Sequence, residues 1–249
     1  MREPALQLYT VRQALHDDPD ETLQWVAEIG FHQVELWWFD ESSAEHVRAV
    51  ERAGLTAVSA HARLFEAHRV GSLGPVLTTA RELGIGTLIE PYTEAERWST
   101  RADVLSLAGE FNAISRAAHE AGVTVAYHNH NHELASRIDG VPALEVFAEA
   151  LDPSAMLEVD VYWSETGGVP AADLLRRLGD RVALMHIKDG PRTTVPEDQT
   201  AVGSGDLPIE EILRAAPHAI PIVELDDTRG DMFAAVAESY RFLHEDISR

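Results

Sequence analysis

Three histidines and a glutamate follow one apolar run and stand within six positions of one another. The run 123–127 reads Val-Thr-Val-Ala-Tyr, and His128, His130, His132 and Glu133 come directly after it. Imidazole nitrogens and carboxylate oxygens are ligands that Zn²⁺ and related divalent ions take from proteins, and the same groups act as general acids and bases. A strand that ends in this way is either a polar loop or one wall of a metal site.

Ionisable residues also stand at the ends of the other strand-like runs. They are Glu35, His61, Glu90, Asp160, His186 with Lys188, and Glu224 with Asp226. Buried charges are costly unless they are paired or bound to a metal, so a purely structural fold has little reason to carry this set. We therefore expect these residues to meet at one functional site.

The last four strand ends predict a divalent-metal site. Side-chain alternation places His128 on the strand face that carries the small residues Thr124 and Ala126, and small residues suit the interior of a barrel. The predicted ligands are His128, Asp160, His186 and Glu224. Nitrogen and oxygen ligands without thiolate suit Mn²⁺, Zn²⁺ or Co²⁺ and do not choose between them. On the fifth strand, His130 and Glu133 stay open as alternatives to His128.

Eight strand-like runs alternate with helical segments along the chain. The runs cover residues 5–11, 33–39, 56–62, 87–92, 123–129, 155–163, 182–189 and 220–226. Glycine ends five of the intervening helical segments, as it does in helix C-terminal caps. Eight strand–helix units predict an α/β fold, a (β/α)₈ TIM barrel that forms a single domain over residues 1–249. A doubly wound open sheet is the alternative, but the first run is followed by no glycine-rich dinucleotide motif. In a barrel, the C-terminal ends of the strands form the face that carries the active site.

Composition restricts the class of function. The chain of 249 residues has a net charge of −22, which disfavours a nucleic-acid partner because such binding depends on basic surfaces. It has no cysteine, so disulfides and thiolate chemistry are excluded, and it has no apolar run long enough to cross a membrane. No signal-peptide pattern precedes the first run, and we expect a cytoplasmic protein without a membrane partner. Lys188 is the one lysine among 20 basic residues.

Several segments resemble the xylose isomerase-like TIM-barrel superfamily, and in particular its bacterial sugar phosphate isomerase/epimerase branch. The segments are LQLYTVR, VELWW, YHNHNHEL, DVYW, LMHIKD and IVELD, which run from the first strand to the last. The resemblance implies a divalent metal held by strands 5 to 8, with a ketose or keto-sugar chelating the ion. Asp160, His186 and Glu224 stand at the matching ends of strands 6, 7 and 8. Strand 5 departs from the common pattern, which has a glutamate where this chain has His128.

The implied chemistry is that of a sugar isomerase or epimerase, in which a proton is abstracted next to a metal-polarised carbonyl. The predicted catalytic residues are Glu133, Glu224, His130 and Lys188. The predicted substrate-binding residues are Glu35, Trp37, His61, Glu90, Trp163 and Asp226. We expect Glu133 to supply the base that a neutral imidazole at position 128 does not. The expected partner is a small-molecule sugar or keto-sugar, and the sequence is compatible with a homo-oligomer.

Three other functions remain as alternatives. A metal-dependent lyase or dehydratase, of the inosose dehydratase or keto-glycoside-eliminating kind, uses the same proton abstraction followed by elimination, and histidine-rich fifth strands resemble those enzymes. A nuclease of the endonuclease IV type needs a basic face, which a net charge of −22 does not favour. A non-catalytic sugar-binding barrel would have little use for so many ionisable strand ends.

Overall fold

The computed structural model describes residues 2–40 and 43–246. Within these ranges, eight parallel strands form a closed barrel, in which each strand pairs with its sequence neighbours and the last pairs with the first. The strands are Ala5–Gln7 (β1), Gln33–Leu36 (β2), Thr56–His61 (β3), Thr87–Glu90 (β4), Thr124–His128 (β5), Ala155–Asp160 (β6), Val182–Ile187 (β7) and Ile220–Val223 (β8). The predicted (β/α)₈ TIM barrel is confirmed.

Helices connect the strands and surround the barrel. In chain order they are Arg12–Asp17 (α1), Pro19–Ile29 (α2), Ser43–Arg52 (α3), Leu64–Arg69 (α4), Leu73–Glu82 (α5), Arg101–Ala121 (α6), His132–Ala135 (α7), Ala143–Ala150 (α8), Val161–Thr166 (α9), Ala171–Leu178 (α10), Ile209–Ala215 (α11) and Met232–Arg241 (α12). Turns of 3₁₀ helix cover Leu8–Val11, Ala95–Trp98, Gly179–Arg181 and Pro196–Asp198, and a π-helical turn covers Phe242–Asp246. A small hairpin pairs Arg137–Ile138 with Val141–Pro142. None of the described helices is both long and apolar enough to span a membrane.

Each strand ends earlier than the run that predicted it, and at two strand ends a polar side chain starts the turn that follows. After β1, the side chain of Gln7 accepts a hydrogen bond from the N–H of Tyr9 and begins the 3₁₀ turn. After β6, Asp160 Oδ1 accepts the N–H of Trp163 at 2.8 Å and caps α9. The last polar residue of each of these strands thus caps the helical turn that follows, and strand propensity does not predict such a cap.

Side-chain alternation divides the apolar residues into two cores. The inner core fills the floor of the barrel with Ala5, Ile89, Ala126, Leu184 and Ile222. The outer core lies between the strands and the helices, and Tyr127 belongs to it. Because successive side chains of a strand point to opposite faces, residues two positions beyond the inner core also point into the barrel. His128, His186 and Glu224 therefore stand inside the barrel, above its apolar floor.

Two irregularities of strand pairing lie at the level of these polar residues. The pairing of β2 with β3 shifts between Val34 and Glu35, and the pairing of β6 with β7 shifts between Leu157 and Glu158. Such shifts place an extra residue in one strand and change the aim of neighbouring side chains. Both shifts occur beside a buried carboxylate.

The connection that follows β7 is held by one carboxylate. Asp189 is fully buried, and its oxygens accept the N–H groups of Gly190, Gly203, Gly205 and Leu207 at 2.8 to 3.1 Å. A Cβ on Gly205 would lie 2.2 Å from Asp189 Oδ1, so the approach of the two segments requires glycine there. The connection is therefore tied to the end of the barrel.

Candidate metal centre and active site

Asp160, His186 and Glu224 converge at the mouth of the barrel. Asp160 pairs with His186 across β6 and β7, and Glu224 follows the end of β8. His186 Nδ1 lies 2.6 Å from Glu224 Oε2, and one ligand atom from each residue lies within 4.8 Å of the others. All three side chains are buried. The barrel thus gathers two carboxylates and one imidazole at a single point.

The Lys188 amine balances part of the charge of this cluster. Its Nζ lies 3.0 Å from Asp160 Oδ2, 2.8 Å from Glu224 Oε2 and 2.8 Å from Asp226 Oδ2. Burial opposes the ammonium charge, but attraction to the three carboxylates outweighs burial and raises the pKa of Lys188 well above its usual value. Burial also opposes the charge of Glu224, but Lys188 and His186 hold the pKa of that carboxyl well below its usual value.

Asp160 has one oxygen that no hydrogen bond satisfies. Oδ1 caps α9, whereas Oδ2 is buried without a hydrogen-bond partner among the described residues. Oδ2 forms an ion pair with Lys188 Nζ at 3.0 Å, and His128 Nε2 lies 4.0 Å from it. Burial raises the pKa of Asp160 to about 6, with Lys188 and His186 opposing the rise. A buried carboxylate oxygen of this kind is a ready ligand for a cation.

A second polar layer lies directly beneath this cluster. Glu35 and Glu158 are fully buried, and their carboxylates contact the rings of His61, His128 and His186. Burial opposes the charge of His61, but attraction to Glu35 and Glu158 raises its pKa to about 9. Burial and Glu35 oppose the charge of Glu158, but His186 and His128 lower its pKa to about 2. Glu35, predicted to orient a sugar, thus lies beneath the mouth of the barrel and out of reach of a ligand in the cleft.

His128 belongs to both layers. Its Nδ1 lies 3.0 Å from Glu158 Oε2, and its Nε2 faces Asp160. Burial lowers the pKa of His128 well below its usual value, so the ring is neutral near pH 7. A neutral imidazole is the form that binds a metal ion. The inward direction expected for this side chain agrees with the position of Ala126 in the inner core.

His130 and Trp163 present polar atoms without partners near Lys188. The buried atoms His130 Nδ1 and Trp163 Nε1 have no hydrogen-bond partner among the described residues. The two rings are stacked with centroids 6.4 Å apart, and Lys188 Nζ lies 5.4 Å from the Trp163 ring. Burial and Lys188 lower the pKa of His130 to about 3, so its ring is neutral. These atoms are free to bond a polar ligand.

Glu133 lies behind His130 and does not line the cleft. One oxygen accepts the Tyr127 hydroxyl at 2.9 Å, and the other accepts the N–H of His130 at 2.9 Å. The side chain is fully buried on α7, and burial raises its pKa to about 7. Tyr127 points out of the barrel and continues the network to Thr93 Oγ1 at 3.0 Å. The Glu133 carboxylate thus binds the backbone N–H of His130 and does not line the cleft.

Glu90 also lies away from the cleft. Its neighbour Ile89 points into the barrel, so strand alternation turns Glu90 towards the helices. There one oxygen accepts the N–H of Phe65 at 2.8 Å, at the start of α4. Burial raises the pKa of Glu90 to about 7, although backbone N–H groups oppose the rise. The predicted substrate-binding residue is thus a cap for a neighbouring helix.

Above the cluster opens a cleft of about 270 Å³. The residues that line it are Tyr9, Trp37, Trp38, His61, Pro91, His128, His130, Lys188, Glu224 and Asp226. Trp37 is 40% exposed and lies 5.8 Å from the Tyr9 ring. The volume is close to the lower end of the range of about 300 to 1,000 Å³ typical of small-molecule sites. The cleft therefore combines one aromatic wall with a floor of imidazoles, carboxylates and one amine.

A wider groove of about 580 Å³ lies elsewhere, along the connections that follow β7 and β8. Glu197, Asp198, Asp231 and Glu238 line it, and Arg229 pairs with Asp198. None of the described groups that could hold a metal lies in this groove. Volume alone therefore does not mark the reactive site, and the smaller cleft carries the convergent chemistry.

The residues at the mouth fit a divalent metal ion. Asp160 Oδ2 is buried without a hydrogen bond, His186 and Glu224 offer further ligand atoms beside it, and His128 presents a neutral nitrogen. Asp160, His186 and Glu224 offer two carboxylate oxygens and one imidazole nitrogen within 4.8 Å of one another, a donor set that Zn²⁺, Mn²⁺ and Co²⁺ accept. His128 groups with His61, Glu158 and His186.

Several residues of the site were not among the sequence predictions. They are Gln7, Tyr9, Trp38, Ser59 and Glu158. Glu158 shares a strand face with Asp160, so the alternation of β6 already indicated that it points inward. Gln7 and Ser59 carry no charge and stand at strand positions where neutral polar residues are common, so no pattern marked them.

Comparison with known proteins places this chain in a family. The family model of the xylose isomerase-like TIM barrel matches residues 23–222. An uncharacterized protein of Mycobacterium leprae (strain TN) is 25% identical in an alignment of 222 positions that covers 76% of this chain and 76% of that one. The crystal structure of a sugar phosphate isomerase/epimerase from Parabacteroides distasonis has a TM-score of 0.82 at 23% identity and covers 98% of both chains. The crystal structure of IOLI protein with a bound zinc atom has a TM-score of 0.71 at 14% identity, covering 99% of this chain and 98% of that one.

A closed barrel with a buried histidine and carboxylate cluster at the C-terminal ends of its strands defines the general class. The chain belongs to the xylose isomerase-like TIM barrel family.

Proposed function

We propose that this protein is a divalent-metal-dependent isomerase or epimerase that acts on a keto-sugar or a sugar phosphate. One observation carries the proposal: Asp160 Oδ2 is buried without a hydrogen bond at the point where His186 and Glu224 converge. The neighbouring structure described as a sugar phosphate isomerase/epimerase and the zinc-bound neighbour support the same chemistry. In TIM-barrel enzymes the active site lies at the C-terminal ends of the strands, which is where this cluster lies.

The proposed metal ligands are His128, Asp160, His186 and Glu224, contributed by the four consecutive strands β5 to β8. These residues would hold a divalent ion, which when bound would supply the Lewis acidity that polarises a carbonyl group of a sugar. The negative charges of Asp160 and Glu224 would offset the positive charge of the bound ion. Nitrogen and oxygen donors suit several divalent ions, among them Zn²⁺, Mn²⁺ and Co²⁺.

The proton is moved by residues that contact the cleft. His130 lines the cleft with an unpartnered Nδ1 and is the proposed base that accepts a proton from the sugar. The Lys188 ammonium stabilises negative charge that develops on a sugar oxygen and is placed to return a proton. Glu224 lines the cleft and is the carboxylate alternative as base. Glu133 acts through His130, whose backbone it holds.

The aromatic wall positions the sugar ring. Trp37 and Trp38 line the cleft, and Trp163 lies beside Lys188 with its Nε1 free to donate a hydrogen bond. Aromatic faces suit the C–H surfaces of a sugar, while the imidazole and amine groups suit its hydroxyls. Asp226 and His61 line the same cleft and are the proposed polar contacts.

Solvent deuterium exchange tests this proposal whichever product is formed. The metal-loaded protein is incubated in D₂O with a panel of ketoses, keto-sugars and their phosphates, and deuterium next to the carbonyl is followed by NMR. We expect exchange for at least one member, and we expect chelator and Asp160→Asn to abolish it. A panel without exchange, although the protein is loaded with metal, would contradict proton abstraction. Isomerisation or epimerisation returns a proton and gives a product of the same composition as the substrate. Elimination releases a leaving group, and its detection would identify the lyase alternative.

A further inference from the structure

Two carboxylates inside the barrel touch neither solvent nor the cleft. Glu35 and Glu158 are fully buried, and each lies beside a shift in strand pairing. Removing a carboxylate from water costs free energy unless its partners compensate the charge, so two buried glutamates at these positions call for a functional explanation. Their contacts with two histidines of the proposed metal centre suggest one.

The two ring nitrogens of His186 face opposite layers. Nδ1 lies 2.6 Å from Glu224 Oε2, in the cluster at the mouth. Nε2 lies 2.7 Å from Glu35 Oε1, in the layer beneath. Both nitrogens of this ring therefore face a carboxylate, and an ion that took Nδ1 at the mouth would leave the hydrogen on Nε2, which donates to Glu35.

His128 is held with the opposite orientation. Its Nδ1 lies 3.0 Å from Glu158 Oε2, in the inner layer. Its Nε2 faces the mouth and lies 4.0 Å from Asp160 Oδ2. The nitrogen that faces the proposed metal ligands is therefore Nε2, and the Nδ1–H donates to Glu158.

The inner carboxylates are themselves fixed by neighbours. Ser59 Oγ and Gln7 Nε2 donate hydrogen bonds to Glu35. His61 Nε2 lies 3.2 Å from Glu35 Oε1 and 3.0 Å from Glu158 Oε2, so it joins the two carboxylates. An acceptor that is locked in this way orients the donor ring that depends on it.

We propose that Glu35 and Glu158 are positioning residues that give His186 and His128 opposite tautomers, so that the metal is bound by Nδ1 of His186 and Nε2 of His128. The inference rests on the proposed metal centre and concerns which atoms bind the ion. It assigns to Glu35 the role of orienting a ligand of the metal, in place of the predicted contact with a sugar.

The same residues allow one competing arrangement. Ligand atoms of His61, His128, Glu158 and His186 also lie within 4.8 Å of one another, which would allow an ion in the inner layer. In that case Glu158 would be a ligand, and His128 would bind the ion through Nδ1 and keep its hydrogen on Nε2. The tautomer of the His128 ring separates the two arrangements.

The first test measures Zn²⁺ affinity and stoichiometry for the wild type, Glu158→Gln and Glu35→Gln, with Glu90→Gln as a matched control. Glu90 is also a buried strand carboxylate, but its described hydrogen bond is to a backbone N–H outside the barrel. We expect one equivalent of Zn²⁺ in every protein, with affinity about 10- to 100-fold weaker in the two inner variants and unchanged in the control. Affinity equal to the wild type in both inner variants would overturn the inference, and so would two equivalents in the wild type with one lost in Glu158→Gln.

The second test needs no substitution at the inner carboxylates. In the Zn²⁺-loaded wild type labelled with ¹⁵N-histidine, two-bond couplings report which ring nitrogen carries the proton. We expect one metal-bound ring protonated at Nε2 and another protonated at Nδ1, and we expect the latter signal to disappear in His128→Gln. Two metal-bound rings with the same tautomer would overturn the inference.

A further variant separates this inference from the proposed function. If Asp160→Asn retains metal and deuterium exchange, the metal centre itself is misassigned. If Asp160→Asn loses both, and the inner variants bind Zn²⁺ like the wild type, then the metal centre stands and only the roles of Glu35 and Glu158 are wrong.

Discussion

Glu90 and Asp160 are both buried carboxylates at the end of a barrel strand, but their surroundings differ. Both accept a backbone N–H at the start of a helix, Glu90 from Phe65 and Asp160 from Trp163, each at 2.8 Å. Burial raises both pKa values, to about 7 and about 6. Asp160 points into the barrel and keeps one oxygen without a hydrogen bond, whereas Glu90 points towards the helices.

An ionisable strand end is therefore a weak signal until its direction is known. Alternation assigns the direction: Ile89 belongs to the inner core, so Glu90 must point outward, whereas Asp160 shares its face with Glu158. Helix capping is common to both residues and distinguishes neither. What distinguishes Asp160 is its second oxygen, which points into the cluster with Lys188, His186 and Glu224 and has no hydrogen bond among the described residues.

The largest difference is expected in metal binding. Asp160→Asn removes a proposed ligand charge and should weaken Zn²⁺ binding well beyond the factor of about 10 to 100 that follows loss of an outer-shell partner. Glu90→Gln should leave affinity unchanged. Isothermal titration with matched folded fractions measures both. If the two variants lost Zn²⁺ affinity equally, Asp160 would not differ from Glu90 in this respect, because the loss would then reflect lower stability of the fold.

The second contrast concerns stability against pH. Burial raises the pKa of Glu90 from 4.5 to about 7, so the folded protein holds a proton that the unfolded chain releases between these values. The contribution of Glu90 to the free energy of unfolding is fully present below pH 4.5. It decreases as the pH rises from 4.5 to about 7, and above pH 7 it does not return. Glu90→Gln removes this dependence, so its free energy of unfolding relative to the wild type should improve from pH 4.5 to pH 8 by at most about 3 kcal/mol. Urea unfolding at the two pH values measures the difference, and a constant difference would show that Glu90 is ionised in the folded protein.

A third prediction compares two residues of the opening motif. His128→Ala should weaken metal binding, because it removes a proposed ligand. Glu133→Gln should bind metal like the wild type but lower kcat, by up to about 100-fold if the ring of His130 moves by about 1 Å. Steady-state kinetics and Zn²⁺ titration of both variants provide the measurement. Release of metal by Glu133→Gln and retention by His128→Ala would reverse the two roles and correct the orientation of β5.

The smallest effect is expected outside the barrel. Tyr127→Phe removes the hydroxyl that bonds Glu133 and Thr93, and leaves one buried oxygen of Glu133 without its partner. We expect a loss of about 1 to 3 kcal/mol in unfolding free energy and no change in Zn²⁺ affinity. Thermal and urea unfolding report the former. A change in metal affinity would mean that the outer network reaches the metal centre.

The barrel itself could be predicted because its signals are local and repeated. The eight strand-like runs, each followed by a helical segment, correspond to β1 to β8. The ends of the strands were predicted too far along the chain, because Gln7 and Asp160 cap the turns that follow. A cap depends on where a side chain meets a backbone N–H, and hydrophobic periodicity carries no record of that contact.

The candidate site could be predicted in part. Alternation and strand ends suffice for His128, Asp160, His186 and Glu224, because these residues lie above the inner core. Sequence alone did not place Glu35 beneath the cleft, because the depth of a residue depends on the pairing register and its shift beside Val34. The orientation of Glu133 depends on Tyr127, which belongs to the outer core.

The Asp189 carboxylate has a consequence for the free energy of folding. It joins positions 189 to 207 through four backbone N–H groups, in a chain that has no cysteine. A disulfide between such positions would restrict the denatured ensemble permanently, whereas this carboxylate closes the loop only after the chain has folded. The entropy of closing the loop is therefore a cost that falls on the folding of this protein, to be met by four hydrogen bonds that form together.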